Sequence, residues 1–544
     1  MLLLPLPASA ADVSVSIDFA QTTGRVASTR HYGLNMFQIY NPANAENQAY
    51  RSGITAMRPG ILRLHSWEML GPSSSGNGWL QSGATPAWDA AKIKRAVATF
   101  PFSGDVIVNI PAYPDATDEK LTGARIDAFA AFCAELVRII NVEAKKGFKY
   151  WEIPNERESM YSGAELAELV LKTSAAMKKV DPTIKVGGPA LTQPYAAATD
   201  EFLRIALDRL DFVSYHQYGG APNDGDLATM LKRADEIGGG ANSLRDRITK
   251  ITSRSIELFH DEWNVAWSGP DDRMTQMSGA LFDALALAAI ARSGATGAAA
   301  WNDADGWYGK LEGPPGFARR PGSHVFELYA THLTGPIVKT TTSANAVVSV
   351  YSTAGDKGDA FSLVNRTTET RTVRVMLSGN RSGSSWSLST VSSSGRSDRT
   401  ITTDELMSAQ GITLVASSVS VFAIKSTSMP PKDAGVIVAP PSADAGIPPQ
   451  TGSGGSGRGG SAGASGSAGA SGKAGQGGGG GLSGGSSGDV DENAGGTGGN
   501  INRSERDAHG CSYSAQGTVR NNFGWLFAMM FAIRFCRRQR KLRR

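Results

Sequence analysis

Cysteine is scarce in this chain, and its scarcity excludes a class of folds. Three cysteines among 544 residues, Cys133, Cys511 and Cys536, cannot form a disulfide framework. No Cys/His spacing resembles a zinc site, and nothing in the pattern calls for a metal or a cofactor. Cys133 lies in the apolar run Ala130-Ala131-Phe132-Cys133-Ala134 and reads as a small buried hydrophobe. Basic charge is also missing once its position is considered. The net charge is +4, but residues 534–544 hold seven basic residues and no acid, so the rest of the chain carries −3. That leaves no footprint for nucleic acid. The apolar stretch 523–533 has eleven residues, too few to cross a bilayer comfortably. A Gly-rich phosphate turn after the first strand pattern, which a doubly wound sheet would want, is absent as well.

What is present divides into five parts. Residues 1–11 read as a signal-peptide-like start, with an apolar run and an Ala8-Ser9-Ala10 cleavage-type site but no basic leader. Residues 12–335 alternate short apolar strands with amphipathic helical stretches such as 125–140 and 163–179. The strands fall at 32–36, 61–65, 105–110, 150–153, 184–188, 212–215, 255–259 and 298–301. Eight strands, each followed by helical material, predict a (β/α)8 barrel. Residues 336–427 change texture: short alternating segments rich in Val, Ser and Thr predict a small antiparallel β-sandwich, with one helical turn near 402–409. Residues 428–510 are Pro-rich and then Gly/Ser-rich, the composition of a flexible spacer. Residues 511–544 join a cysteine, the short apolar run and the basic cluster.

Two stretches organise the barrel segment. Tyr150-Trp151-Glu152-Ile153 leads into Asn155-Glu156, and Ser255-Ile256-Glu257-Leu258-Phe259 leads into Asp261-Glu262. A glutamate that ends a barrel strand points into the crevice where such folds keep their chemistry. Singly, each is an ordinary polar residue after a strand. As a pair they make a candidate two-carboxylate site. Glycosidic hydrolysis needs one carboxyl to protonate the leaving oxygen and a second to attack the sugar or activate water. Asn155 supplies an amide suited to a sugar 2-hydroxyl. His216 and Tyr218 follow the sixth strand, Arg63 and His65 end the second, and Asn35 lies in the first. Trp67, Trp263, Trp301 and Trp307 offer flat apolar faces on which sugars stack.

The Asn-Glu after the fourth strand, the glutamate after the seventh and the aromatic eighth strand resemble the retaining glycoside hydrolases of clan A. Ile184-Lys185-Val186-Gly187-Gly188-Pro189-Ala190, Arg63-Leu64-His65 and the C-terminal β-domain are similar to family 39, the β-xylosidases and α-L-iduronidases. Asp261-Glu262-Trp263-Asn264-Val265-Ala266-Trp267 resembles the nucleophile segment of family 51 α-L-arabinofuranosidases. The resemblance implies Glu156 as acid/base and Glu262 as nucleophile, Asn155 on the 2-hydroxyl, and His216 and Tyr218 lining the subsite around the nucleophile. Many relatives read Trp-Asn-Glu-Pro after strand four. Here Pro154 precedes Asn155 and Arg157 follows Glu156, so sugar specificity does not carry over. The tail resembles the surface-sorting tags of myxobacterial secreted proteins, in which a cysteine, here Cys511, is the attachment point.

Together these readings predict a secreted, surface-retained retaining glycosidase acting on a carbohydrate, touching a membrane or envelope only through its tail. A catalytically silent carbohydrate-binding protein on the same barrel is the alternative. Three subsidiary expectations follow. Strand alternation puts Glu262 on the face of Leu258 and His260, and Asp261 on that of Glu257 and Phe259. Arg157 is expected to pair with Glu158 in solvent or reach an acidic sugar. Asp303 and Asp305 are expected to be solvated loop residues.

Overall fold

The computed structural model describes residues 12–424, apart from 99, 101–103, 116–118, 196–197, 356–357 and 380–384. Expectations for the leader, spacer and tail lie outside the described residues. The chain opens with strand β1 (Val13–Ala27). Eight parallel strands then close into a barrel: β2 (Gly33–Met36), β3 (Ile61–Leu64), β4 (Asp105–Asn109), β5 (Tyr150–Glu152), β6 (Lys185–Leu191), β7 (Phe212–His216), β8 (Glu257–Trp263) and β9 (Gly297–Ala300). Each coincides with a strand read from the apolar runs.

Side chains alternate along a strand with period two, so a barrel interior fills in layers. The floor layer is apolar: Ile61, Ile107, Tyr150, Phe212 and Phe259 form a closed cluster of their own. Its rings need room from neighbouring strands. A Cβ at Gly187 would lie 2.6 Å from the Phe212 ring, and one at Gly297 2.5 Å from Ile61 Cδ1, so both positions require glycine. Two residues further along the same strands stand Arg63, Asn109, Glu152, Ser214 and Asp261, all fully buried or nearly so. The strands therefore lift the chain from an oily floor to a polar layer, and from there to the C-terminal mouth.

The helices follow the sequence pattern. Ala124–Val137 buries Phe129, Cys133 and Leu136, and Gly163–Val180 begins with a Ser162/Glu165 capping box. No helix among the described residues is long and apolar enough to cross a membrane. After β9 a short parallel pair, β10 (Ala304–Asp305) and β11 (Leu311–Glu312), shapes the loop above the barrel.

The β-domain contains β12 (Gly335–Thr342), β13 (Val348–Gly355), β14 (Gly358–Asn365), β15 (Arg371–Ser378), β16 (Ser385–Ser392), β17 (Gly395–Thr402), β18 (Ile412–Leu414) and β19 (Ser418–Ile424). A helical turn, Thr403–Leu406, interrupts them where one was expected. One correction concerns the boundary at residue 12. Strand β1 belongs to this domain and not to the barrel. It pairs antiparallel with β12 and parallel with β15, completing a nine-stranded sheet in the order β17-β16-β19-β14-β13-β12-β1-β15-β18. The reason is its alternation: Val13, Val15, Ile17 and Phe19 are buried while Ser14, Ser16 and Asp18 are not. A strand with one apolar face suits a sheet that is wet on one side, not a barrel wall covered on both. The sheet curls around Trp386, against which Phe19 and Phe361 pack at ring distances of 6.3 and 5.5 Å.

Replacing Ile17 with Ala should therefore destabilise the fold by about 2–5 kcal/mol, the range for a large aliphatic in a packed core. Replacing Val26, exposed in the same strand, should change it by no more than about 0.5 kcal/mol. Urea unfolding of both variants checks the assignment.

Candidate active site

Arg63 is the centre from which the site is built. It rises from β3 into the polar layer with its side chain fully buried. Its Nε and Nη2 meet Glu152 Oε2 at 2.7 Å. Nη1 donates to Glu262 Oε1 at 2.7 Å and to Asn35 Oδ1 at 3.0 Å, and Nη2 donates to Asn155 Oδ1 at 2.6 Å. Asp261 Oδ2 lies 3.2 Å from Nε. Burial opposes the charge of Arg63, but Glu152, Asp261 and Glu262 outweigh it and raise its pKa. One guanidinium thus orders five residues from β2, β5, the turn after β5 and β8.

The mouth lies above it. Glu156 has φ +51°, a left-handed conformation that turns the chain just after β5. His216 Nδ1 stands 2.7 Å from Glu156 Oε1 and 3.4 Å from Glu262 Oε2. The Tyr218 hydroxyl donates to Glu262 Oε2 at 2.8 Å. A carboxylate oxygen of Glu156 and one of Glu262 lie within 4.8 Å of each other. The environments of the two carboxyls differ. Glu262 receives donors from Arg63 and Tyr218, whereas burial pushes the Glu156 carboxyl up to about 7, against the pull of Arg63. His65 donates from Nδ1 to Asn109 Oδ1 at 2.7 Å, since an amide oxygen only accepts. Burial and the nearby Arg63 hold its pKa well below the usual value. The bare Nε2 is then an acceptor 3.8 Å from Glu262 Oε1.

The alternation expected around Glu262 fails, for a local reason. On β8, His260 pairs with Tyr215 of β7 but the next partner of β7, His216, faces Glu262. Against β9, His260 faces Ala298 and Trp263 faces Ala300. One extra residue is inserted, a β-bulge. Asp261 stays inside above Phe259, and the bulge turns Glu262 inward too. His260 instead stacks on Tyr215 at 4.7 Å.

Several other expectations are corrected by burial. Trp263 is fully buried, stacked on Phe326 with Lys310 over its ring, so it has no face for a sugar. Asn35 is fully buried and donates to the carbonyls of Asp261, Ala299 and Ala300, bracing β8 and β9 rather than touching substrate. Arg63 acts through its partners and has no exposed edge. Arg157 does not pair with Glu158: its guanidinium lies over Trp67 at 4.9 Å, while buried Glu158 accepts from the Thr192 amide. Asp303 and Asp305 are buried acceptors of backbone N–H groups that shape the loop after β9. Trp301 stays at the mouth beside His65, ring centroids 5.5 Å apart. The sequence reading overlooked Asn109 and did not give Glu152 or Asp261 a place in the site; the signal available was their place two residues beyond an apolar floor residue on their own strands, while which of them meet Arg63 depends on pairing between distant strands.

Residues 139–293 match the family model described as Glycosyl hydrolases family 39. The matched segment contains both glutamates, His216 and Tyr218. A "Beta-xylosidase" of Caldicellulosiruptor saccharolyticus is 28% identical over 130 residues, 23% of this chain and 26% of that protein. The match therefore spans about a quarter of the length of that relative. Among solved structures, AbfB, a family 51 α-L-arabinofuranosidase from Bifidobacterium longum, superposes with a TM-score of 0.57 at 14% identity, covering 77% of this chain and all of that one (100%). CelM2, a bifunctional glucanase-xylanase from a metagenome library, gives 0.55 at 14% identity over 76% and 99%. The family-model match bears out the resemblance to family 39, and the structural likenesses bear out the barrel fold.

Removing the central cation should be costly. Arg63→Met leaves the buried carboxylates of Glu152 and Glu262 without their counter-charge and should destabilise the protein by about 3–5 kcal/mol at neutral pH. The stranded carboxyls bind protons more tightly in the folded state, so the deficit should narrow as pH falls toward about 4. Denaturant melts of wild type and variant across that range test both the size and the sign.

Proposed function

We propose that the protein is a retaining glycoside hydrolase that cleaves O-glycosidic bonds of xylose- or arabinose-containing oligo- or polysaccharides. The observation that carries this reading is the carboxyl pair. Oxygens of Glu156 and Glu262 face each other within 4.8 Å, which fits the retaining separation of about 5–5.5 Å and not the wider gap, about 6.5–9.5 Å, that admits a water between them. The difference in their surroundings supports the division of labour. Glu156, apolar-buried and proton-holding near neutrality, suits the acid that protonates the leaving oxygen. Glu262, held by Arg63 and Tyr218, suits the anion that attacks the anomeric carbon.

In the first step Glu262 forms a bond to the anomeric carbon while the glycosidic bond breaks and the Glu156 proton passes to the departing oxygen. In the second, Glu156 takes a proton from water, whose oxygen displaces Glu262 and restores both groups. Asn155, held by Arg63, stands beside Glu156 at the position from which an amide reaches the 2-hydroxyl. His65 Nε2 offers an acceptor to another hydroxyl and Trp301 an apolar wall. Secretion and retention at the cell surface through the tail complete the proposal; fractionation of cells making the full chain and a chain ending at residue 428 tests that part.

Hydrolysis of a panel of aryl β-xylosides, aryl α-L-arabinofuranosides and xylan- or arabinan-type polymers is the decisive assay, and no turnover on any of them would leave the silent binding protein standing. Glu156→Ala should keep the first step for substrates with good leaving groups, and added azide should restore turnover as a glycosyl azide of retained configuration. Glu262→Ala should lose at least about 10⁴-fold in kcat/KM on every substrate. Because Glu156 holds its proton below about 7 and loses it above, the basic limb of kcat/KM against pH should fall near that value.

A further inference from the structure

The polar layer beneath the glutamates contains one cation and three carboxyl groups, and the donors around them are unequally shared. Glu152 has Arg63 at 2.7 Å and the Asn109 amide at 2.8 Å. Glu262 has Arg63 at 2.7 Å and the Tyr218 hydroxyl at 2.8 Å. Asp261 is fully buried, has Arg63 Nε only at 3.2 Å, and neither of its oxygens accepts a hydrogen bond from an N–H or hydroxyl group. Its Oδ2 instead shares Arg63 Nε with Glu152 Oε2, at 3.2 and 2.7 Å, which crowds the two buried carboxyls onto one N–H. Two carboxyls crowded on one N–H away from water repel each other unless one of them carries a proton, and the poorly served one is Asp261.

Above Asp261 stands His216. The buried imidazole is sandwiched between two levels of carboxyls: Nδ1 faces Glu156 and Glu262, and Nε2 faces Asp261 Oδ1 at 3.7 Å. A negative Asp261 would draw a proton onto the imidazole. The resulting cation would hold Glu156 as an anion and deprive it of the proton it must donate. We propose that Asp261 is a positioning residue that stays a neutral acid, donating its O–H to Glu152, and that its neutrality keeps His216 uncharged and Glu156 protonated. Its catalytic consequence rests on the glycosidase reading above; the protonation of Asp261 does not. The charged and titratable groups facing Asp261 are Arg63 from β3, Glu152 from β5, Tyr215 and His216 from β7, and Glu262 beside it on β8. Burial first, and then the charge of Glu152, raise the Asp261 pKa well above the ordinary carboxyl range, and burial lowers that of His216, both in the required direction.

The test uses the full chain and reads Asp261 directly. Infrared difference spectra of wild type against Asp261→Asn are recorded at a pH about two units above the ionisation of Glu156, where ordinary carboxyls are ionised. The expected result is one carbonyl band of a protonated carboxylic acid in the wild type that is missing from Asp261→Asn. The same band should vanish in Glu152→Gln, whose amide donates to Asp261 and removes its reason to hold a proton; this second variant keeps the test open if the first folds poorly. Absence of any such band overturns the proposal. The pH profile of kcat/KM adds a second readout: because Asn mimics the neutral acid, the basic limb of Asp261→Asn should stay within about 0.3 unit of wild type. A displacement of a unit or more overturns the claim that Glu156 relies on a neutral Asp261. If neither protein hydrolyses any glycoside, the functional reading fails while the infrared band still decides the state of Asp261.

Discussion

The ion cluster around Arg63 is the constraint on which the barrel interior depends. A guanidinium with no access to water is tolerable only when every N–H finds an acceptor and its charge is met at close range. Here the acceptors come from β2, β5, the turn after β5 and the end of β8. The strands are held in fixed parallel register, Arg63 opposite Ile107 and Asn109 opposite Glu152, and the long Arg63 side chain reaches from its own strand to the acceptors on the others. The cluster therefore does two things at once. It fills the layer above the aromatic floor, and it sets the height and orientation of Asn155 and Glu262 at the mouth.

Burial then separates the roles of two chemically identical side chains. Glu262 is the more hidden of the two but receives donors from Arg63 and Tyr218, while Glu156 has the His216 imidazole at hydrogen-bond distance and the Glu262 carboxyl across from it, and its burial raises its proton affinity. The difference comes from position on the strand. Glu262 is carried inward by a bulge in β8 that aims it at Arg63, and Glu156 sits past the end of β5 on a left-handed residue that carries it away from the cation. The electrostatic asymmetry of the two carboxyls is thus a consequence of backbone irregularities at two strand ends.

The β-domain is fastened to the barrel through both ends of the barrel segment. β1 enters it before the first barrel strand and β12 leaves directly from the helix Pro321–His332. Tyr32 and Tyr329 meet at a ring distance of 6.0 Å at this junction, and the Tyr329 hydroxyl pairs with Ser362 Oγ of β14 at 2.9 Å. Arg292, from the helix Met277–Arg292, donates to the Val350 carbonyl of β13. Because one continuous sheet uses strands from both flanks, the domain cannot be cut away at residue 335 without leaving β1 unpaired.

By itself the sequence determined the barrel, six of its eight strands to within a residue at each end, and the two glutamates, because apolar runs of strand length ending in acidic residues are local patterns. It also carried the resemblance to families 39 and 51. It did not reveal that β1 joins the distant sheet, that Trp263 and Asn35 are walled in, or that Arg157 lies on Trp67 instead of beside Glu158. Each of those depends on which residues from far along the chain arrive at the same place. Strand alternation misplaced Glu262 because period two holds only for an unbroken ladder, and the inserted residue is visible only once β7 and β9 are paired with β8. The partners of Arg63, and hence the proton on Asp261, were decided in the same way: by parallel registry among strands that are up to about 200 residues apart in the chain.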